Sequence, residues 1–190
     1  ALGRIFGCLR ENDLFKNTWI IFTADHGEML GDHHMSQKNL FFEGSAHVPL
    51  LIMPPQGRSL PQNISVEAPT DLVDLYPTIL AMAGLSSPVS VSGRNLLEPV
   101  PMDRIFFGNS LNRNFCVMEE KVKLVYSAVG DHVLLFDLNT DPMEQHNLAE
   151  DPAWQERKAR LWKLLLEHTA QYTPEALDEK GQFLTYEAPH

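Results

Sequence analysis

The chain has 190 residues, 44% of them hydrophobic and 21% charged, with a formal net charge of −10 and an isoelectric point near 5.2. That composition excludes a disordered chain, and no apolar run approaches the ~18 residues of a membrane span. The acidic balance excludes a nucleic-acid partner, because a phosphate backbone calls for a basic stripe and the 15 Lys and Arg residues are scattered.

In chain order, Leu2, Ile5, Phe6 and Leu9 recur at helical spacing, which predicts an amphipathic helix lying over a sheet. A polar link leads into Trp19, Ile20, Ile21 and Phe22, a short apolar run that reads as a strand of a parallel sheet, buried on both faces. The run ends in Asp25, His26 and Gly27, and a polar loop follows with Glu28, Asp32, His33, His34 and Lys38. Residues 48–53 read as a second buried strand and 58–66 as a surface loop. Asp74 is the expected N-cap of a helix that presents Leu75, Ile79 and Met82 and stops at Gly84. The helix, strand, loop, strand order points to α/β architecture.

Proline and serine cluster between 86 and 101, the expected boundary. Beyond it, runs at 104–109, 115–118, 121–127 and 132–138 predict a small antiparallel meander. Asp151 and Pro152 then open a helix burying Trp154, Leu161, Leu164 and Leu165, and residues 172–190 wrap the surface or fray. The division is therefore 1–85 as the C-terminal part of a main α/β domain, 86–102 as a linker, and 103–190 as a small antiparallel sheet plus helix and tail. Cys8 and Cys116 make no disulfide framework and read as two buried thiols, with a pairing between them left open. Asn63, Ile64 and Ser65 match a glycosylation acceptor, a pattern too short to carry weight. Nothing here fixes the compartment.

Chemistry is expected where the first strand ends, because open α/β sheets bind ligands at the carboxyl ends of their strands. A carboxylate and a neutral imidazole are both good ligands for a divalent cation, which makes Asp25 and His26 candidate metal ligands. Lys38 supplies a compact positive charge for an anionic oxygen. Of the adjacent His33 and His34, one is expected to line the pocket. The competing reading of Asp25, His26 and Gly27 is a turn with no chemistry.

The stretch TADHGEMLGDHHMSQKNLFFEGSAHVPLLI, residues 23–52, resembles the metal-and-anion segment of the sulfatases, within the alkaline phosphatase superfamily. The similarity continues through Asp74, Leu75, Tyr76, Pro77 and Thr78 with the following Gly84, through residues 92–96, and through LLFDLNTDPMEQHNLAEDP. The segment 41–45 is similar to that of bacterial choline-sulfatase-like members. The resemblance implies the C-terminal part of an alkaline-phosphatase-like sandwich plus a small antiparallel subdomain with a C-terminal helix. It implies Asp25 and His26 as metal ligands and Lys38 as the catalytic, sulfate-contacting lysine; of the two adjacent histidines, His34 is the one taken as substrate-binding. Its substrates would be sulfate esters of small molecules or carbohydrates.

Two departures matter. Many sulfatases have Asn where His26 stands. All-oxygen ligation suits Ca²⁺, the expected metal, while an imidazole brings Mn²⁺ or Zn²⁺ into play. The family's formylglycine arises from a Cys or Ser in a C/S-x-P-x-R motif. Cys8 is followed by Leu9, Arg10 and Glu11 and Cys116 by Val117, Met118 and Glu119, so neither fits. The expectation is a C-terminal portion of a longer enzyme, inactive alone and prone to self-association, with the formylglycine and an Asp-Asp metal pair in an N-terminal part. The alternatives are a phosphonate monoester or phosphodiester hydrolase of the same superfamily, and a non-catalytic module.

Overall fold

The computed structural model describes residues 1–38, 40–58, 65–88 and 90–187. Asn63 and Ile64 of the glycosylation pattern and most of the 58–66 loop therefore lie outside the described residues. Contacts divide the chain into two units, residues 1–25 with 48–102, and residues 26–47 with 103–190.

In the first unit, α1 (Leu2–Glu11) forms as its spacing predicts. It buries none of its residues: Leu2 is 48% and Ile5 56% exposed, and Phe6 stacks on Phe15 of the following turn. The expected covering of a sheet by this helix is not what its apolar stripe does. Strands β1 (Ile20–Thr23) and β2 (Leu50–Met53) pair with each other, and antiparallel, in the register Ile20 to Met53 through Thr23 to Leu50. The parallel, doubly buried strand is thus corrected. Strand residues alternate between faces, and one face of this pair, carrying Phe22, Leu51 and Met53, stays 41%, 60% and 38% exposed because no layer of this unit covers it.

Helix α3 (Leu75–Met82) starts directly after Asp74, its expected N-cap, but the Asp74 side chain does not cap it. Asp71 caps a preceding 3₁₀ turn, and the buried Asp74 carboxylate instead accepts from the backbone N–H of Asp71 at 2.8 Å and of Arg94 at 2.7 Å. The Thr78 hydroxyl donates to the Asp74 carbonyl at 2.6 Å and accepts from Leu96 N at 2.9 Å, so residues 92–96 are stitched to this helix. Its buried residues are Pro77 and Thr78, whereas Ile79 faces out. Gly84, at φ +72°, ends the helix, and Leu85 N returns to Leu80 O at 2.8 Å, as in a Schellman closure.

The second unit holds the meander β3 (Phe106–Ser110), β4 (Asn114–Glu119), β5 (Val122–Ser127) and β6 (His132–Asp137), paired in sequence order and antiparallel throughout. The β4–β5 turn is a two-residue loop whose Glu120 and Lys121 both take positive φ, as a type I′ hairpin requires. One face, with Phe115, Val117, Leu124, Tyr126 and Leu135, packs under α4 (Gln155–Tyr172) through Leu161 and Leu165. Burying a leucine fully contributes about 1.5–3 kcal/mol, so this layer is the main source of stability in the unit. Asp151 caps the turn that leads into α4, accepting from Ala153 N at 2.8 Å, with Pro152 in the first position. The tail wraps: Phe183 is buried against Phe115 and Tyr126, and Tyr186 bridges to Val129.

The opposite face of the meander carries Lys123, Leu134 and Phe136, and residues 26–47 pack there. Met29, Phe42 and Phe136 form a second small core. The short helix α2 (Glu43–Ala46) lies in this segment. Cys116 is buried and Cys8 exposed, both as free thiols, so only one of the two expected buried thiols is buried.

Candidate active site

Asp25 follows β1 by two residues and is exposed; it closes the opening segment of the first unit, and His26 opens the second. Gly27 N donates to Ser45 O at 2.8 Å, and a Cβ on Gly27 would lie 2.1 Å from Gly44 O, so the backbone there runs directly against α2. The loop beyond is strained. Leu30, His33, His34 and Gln37 all have positive φ, a conformation costing about 1 kcal/mol or more each for residues with a Cβ.

Lys38 returns from this loop to His26, its Nζ hydrogen-bonded to Nε2 of the imidazole. An ammonium has no lone pair, so Nε2 must accept. The ring proton then resides on Nδ1, which lies 2.6 Å from Gly27 O and donates to it. His26 is thereby held as the tautomer whose Nε2 lone pair faces the lysine. Carbonyl-anchored imidazoles of this kind are how histidines are oriented as metal ligands. His34 is exposed, and it is His33 that is half buried, its ring stacked on Phe42 with centroids 4.2 Å apart. The structure thus brings together Lys38 and His26.

What the sequence reading missed lies beneath the loop. Lys123, 3% exposed, donates to Glu144 at 2.8 Å, to Glu43 at 2.5 Å and to Phe41 O at 2.9 Å. Glu144 in turn accepts from Glu43 N at 2.7 Å. Burial works to lower the Lys123 pKa, but the charges of Glu43 and Glu144 outweigh it and hold the ammonium above its ordinary value. A signal was present: one lysine in the otherwise apolar run Val122, Leu124, Val125 and Tyr126 is either a solvated face or a paired buried charge, and alternation alone does not decide. Cys116, on the same face, has its thiol pushed up to about 12 by burial.

The fold is a mixed α/β arrangement with a small antiparallel meander and a C-terminal helix. The sulfatase family model matches residues 1–85, a range that contains Asp25, His26 and Lys38. Arylsulfatase K of Xenopus laevis is 34% identical over 168 residues, which is 78% of this chain and 31% of that protein. The phosphonate monoester hydrolase of Agrobacterium radiobacter superposes with a TM-score of 0.70 at 32% identity, over 95% of this chain and 41% of that one. BT4656, solved in complex with its substrate D-glucosamine-2-N,6-O-disulfate, superposes with a TM-score of 0.71 at 23% identity, over 94% of this chain and 39% of that one, a likeness of fold alone. The chain belongs to the sulfatase family. It spans about a third of the length of the curated relatives it matches.

Among the described residues no group of three or more His, Cys, Asp and Glu side chains is arranged to hold a metal ion. The imidazole of His26, its Nδ1 anchored on Gly27 O, nonetheless has the donor chemistry that a metal ligand uses.

Proposed function

We propose that this chain supplies part of the active site of a sulfuric ester hydrolase acting on sulfate esters of small molecules or carbohydrates. Lys38 contacts the sulfate group, Asp25 and His26 are metal ligands, and His34 lines the substrate pocket. The observation that carries the reading is the convergence of Lys38 on the fixed tautomer of His26, inside the stretch matched by the family model. The remaining ligands and the formylglycine nucleophile would come from parts of the fold outside this chain.

When bound, a divalent cation supplies Lewis-acid stabilisation of charge on the sulfate oxygens. Ca²⁺ is the proposed ion, with Mn²⁺ or Zn²⁺ as imidazole-tolerant alternatives. Lys38 cannot donate to a lone pair that a metal occupies. With a cation bound there, its ammonium would be available to an anionic substrate oxygen and would offset charge on it. Gly27 O would hold the proton on Nδ1 of His26.

A second reading is favoured by one observation, the 32% identity to a phosphonate monoester hydrolase over 95% of this chain. The same lysine and metal would serve a phosphonate or phosphodiester oxygen. Turnover of paired aryl sulfate and aryl phosphonate substrates, by a protein carrying this chain within the complete fold of its relatives, tests both readings. A higher kcat/KM for the sulfate supports the first, and the reverse replaces it with the second. Absence of metal uptake and of either turnover would leave a non-catalytic module.

A further inference from the structure

The loop that carries His26 and Lys38 has four non-glycine residues in the left-handed region and cannot hold its shape by local preference. Its supports are on the meander. Lys123 reaches the loop at two points, the Phe41 carbonyl and the Glu43 carboxylate. Glu144, from the turn after β6, grips the Glu43 backbone N–H and the same ammonium. Phe42 stacks on His33 and packs on Phe136, and Gly108 of β3 leaves the room that the Phe41 ring fills, since a Cβ there would lie 2.5 Å from it.

The geometry points to Glu43, Lys123 and Glu144 as positioning residues, a buried ionic clamp through which the C-terminal meander sets the placement of the His26–Lys38 pair. A charge clamp suits this task better than more apolar contact. An apolar loop can slide by a residue at small cost, whereas Lys123 and Glu144 are buried, and any other register strands a charge without its partner. Glu43 is the releasable member, partly exposed and also paired with His47 at 2.8 Å. The catalytic meaning rests on the proposed function; the mechanical statement does not.

The test uses the isotopically labelled 190-residue chain and Glu43→Gln, which removes the loop's charge but leaves the buried Lys123–Glu144 pair intact, so the sheet still folds. Amide hydrogen exchange is read at Gly27 and Met29, bonded to Ser45 O and Gln37 O, and within the sheet at Leu124 and Leu135. The ¹⁵N resonance of His26 Nε2 is read as the signature of its hydrogen bond with Lys38. The clamp predicts roughly tenfold or faster exchange at the loop amides, unchanged exchange in the sheet, and a shift of the Nε2 resonance toward that of a free imidazole. Unchanged loop exchange with an unmoved Nε2 resonance overturns it, and so does equal acceleration of loop and sheet, which is plain destabilisation. Failure of the sulfatase reading would show elsewhere, as a clamped loop in a protein without sulfate-ester turnover.

Discussion

Gly27 and Gly44 touch backbone to backbone: a Cβ on Gly27 would stand 2.1 Å from the Gly44 carbonyl oxygen and 3.1 Å from its carbon. The contact carries the hydrogen bond from Gly27 N to Ser45 O and brings the residue next to His26 against α2. Gly27→Ala must therefore push α2 away. The expected cost is about 1–3 kcal/mol of overpacking, read as a lower urea midpoint, with loss of the Gly27–Ser45 hydrogen bond in amide exchange. An unchanged midpoint would mean that the loop does not sit against α2.

The two thiols should be chemically unequal. Cys8 is exposed, whereas Cys116 is buried and its thiol is pushed up to about 12 by that burial. At pH 8 a disulfide reagent should modify one thiol per native chain within minutes, and the second only when denaturant opens the meander. Two fast thiols in the native chain would contradict the packing of β4.

Acid should loosen the second unit through carboxylates whose pKa values are depressed. Arg160 holds Glu119 below the usual range against an opposing burial effect. At Asp137 burial raises the pKa, but hydrogen bonds from Asn139 and Thr140 outweigh it. A depressed carboxylate stabilises the fold fully above its unfolded value, about 3.9–4.3, and loses that contribution as pH falls through the folded value. Urea midpoints should thus decline gently below about pH 6.5, where burial keeps His168 neutral in the folded chain while its unfolded imidazole takes up a proton, and fall further below about 4, and Glu119→Gln should shallow that second fall. A midpoint that rises on acidification would refute this.

The open face of the β1–β2 pair, with Phe22, Leu51 and Met53, predicts self-association of the chain. Sedimentation should show mass rising with concentration, and Leu51→Lys should shift the distribution toward monomer. A strictly monomeric wild-type chain at high concentration would contradict the prediction.

Most of the meander was legible. The short runs at 115–118, 121–127 and 132–138 place β4, β5 and β6 within about two residues of their observed bounds, because hairpin pairing is local. The C-terminal helix was legible from Asp151 and Pro152 for the same reason. The β1–β2 pair was not: apolar runs report that a strand is sticky, but not which strand it pairs with or whether both faces are covered. At the site, Lys38 and His26 could be named from the motif. The clamp could not, because Glu43, Lys123 and Glu144 are 80 and 21 positions apart in sequence and meet only through the fold.

The most direct test is Lys38→Ala in a protein that carries this chain within the complete fold of its relatives, assayed for aryl sulfate hydrolysis and metal content together. The account predicts unchanged metal content, with kcat/KM lower by on the order of 10²-fold or more, since one electrostatic contact to the reacting anion is lost. Asp25→Ala should instead lose metal and recover part of its activity in excess metal. Near-normal kcat/KM for Lys38→Ala at full metal occupancy would make Lys38 a solvated loop residue and contradict the site.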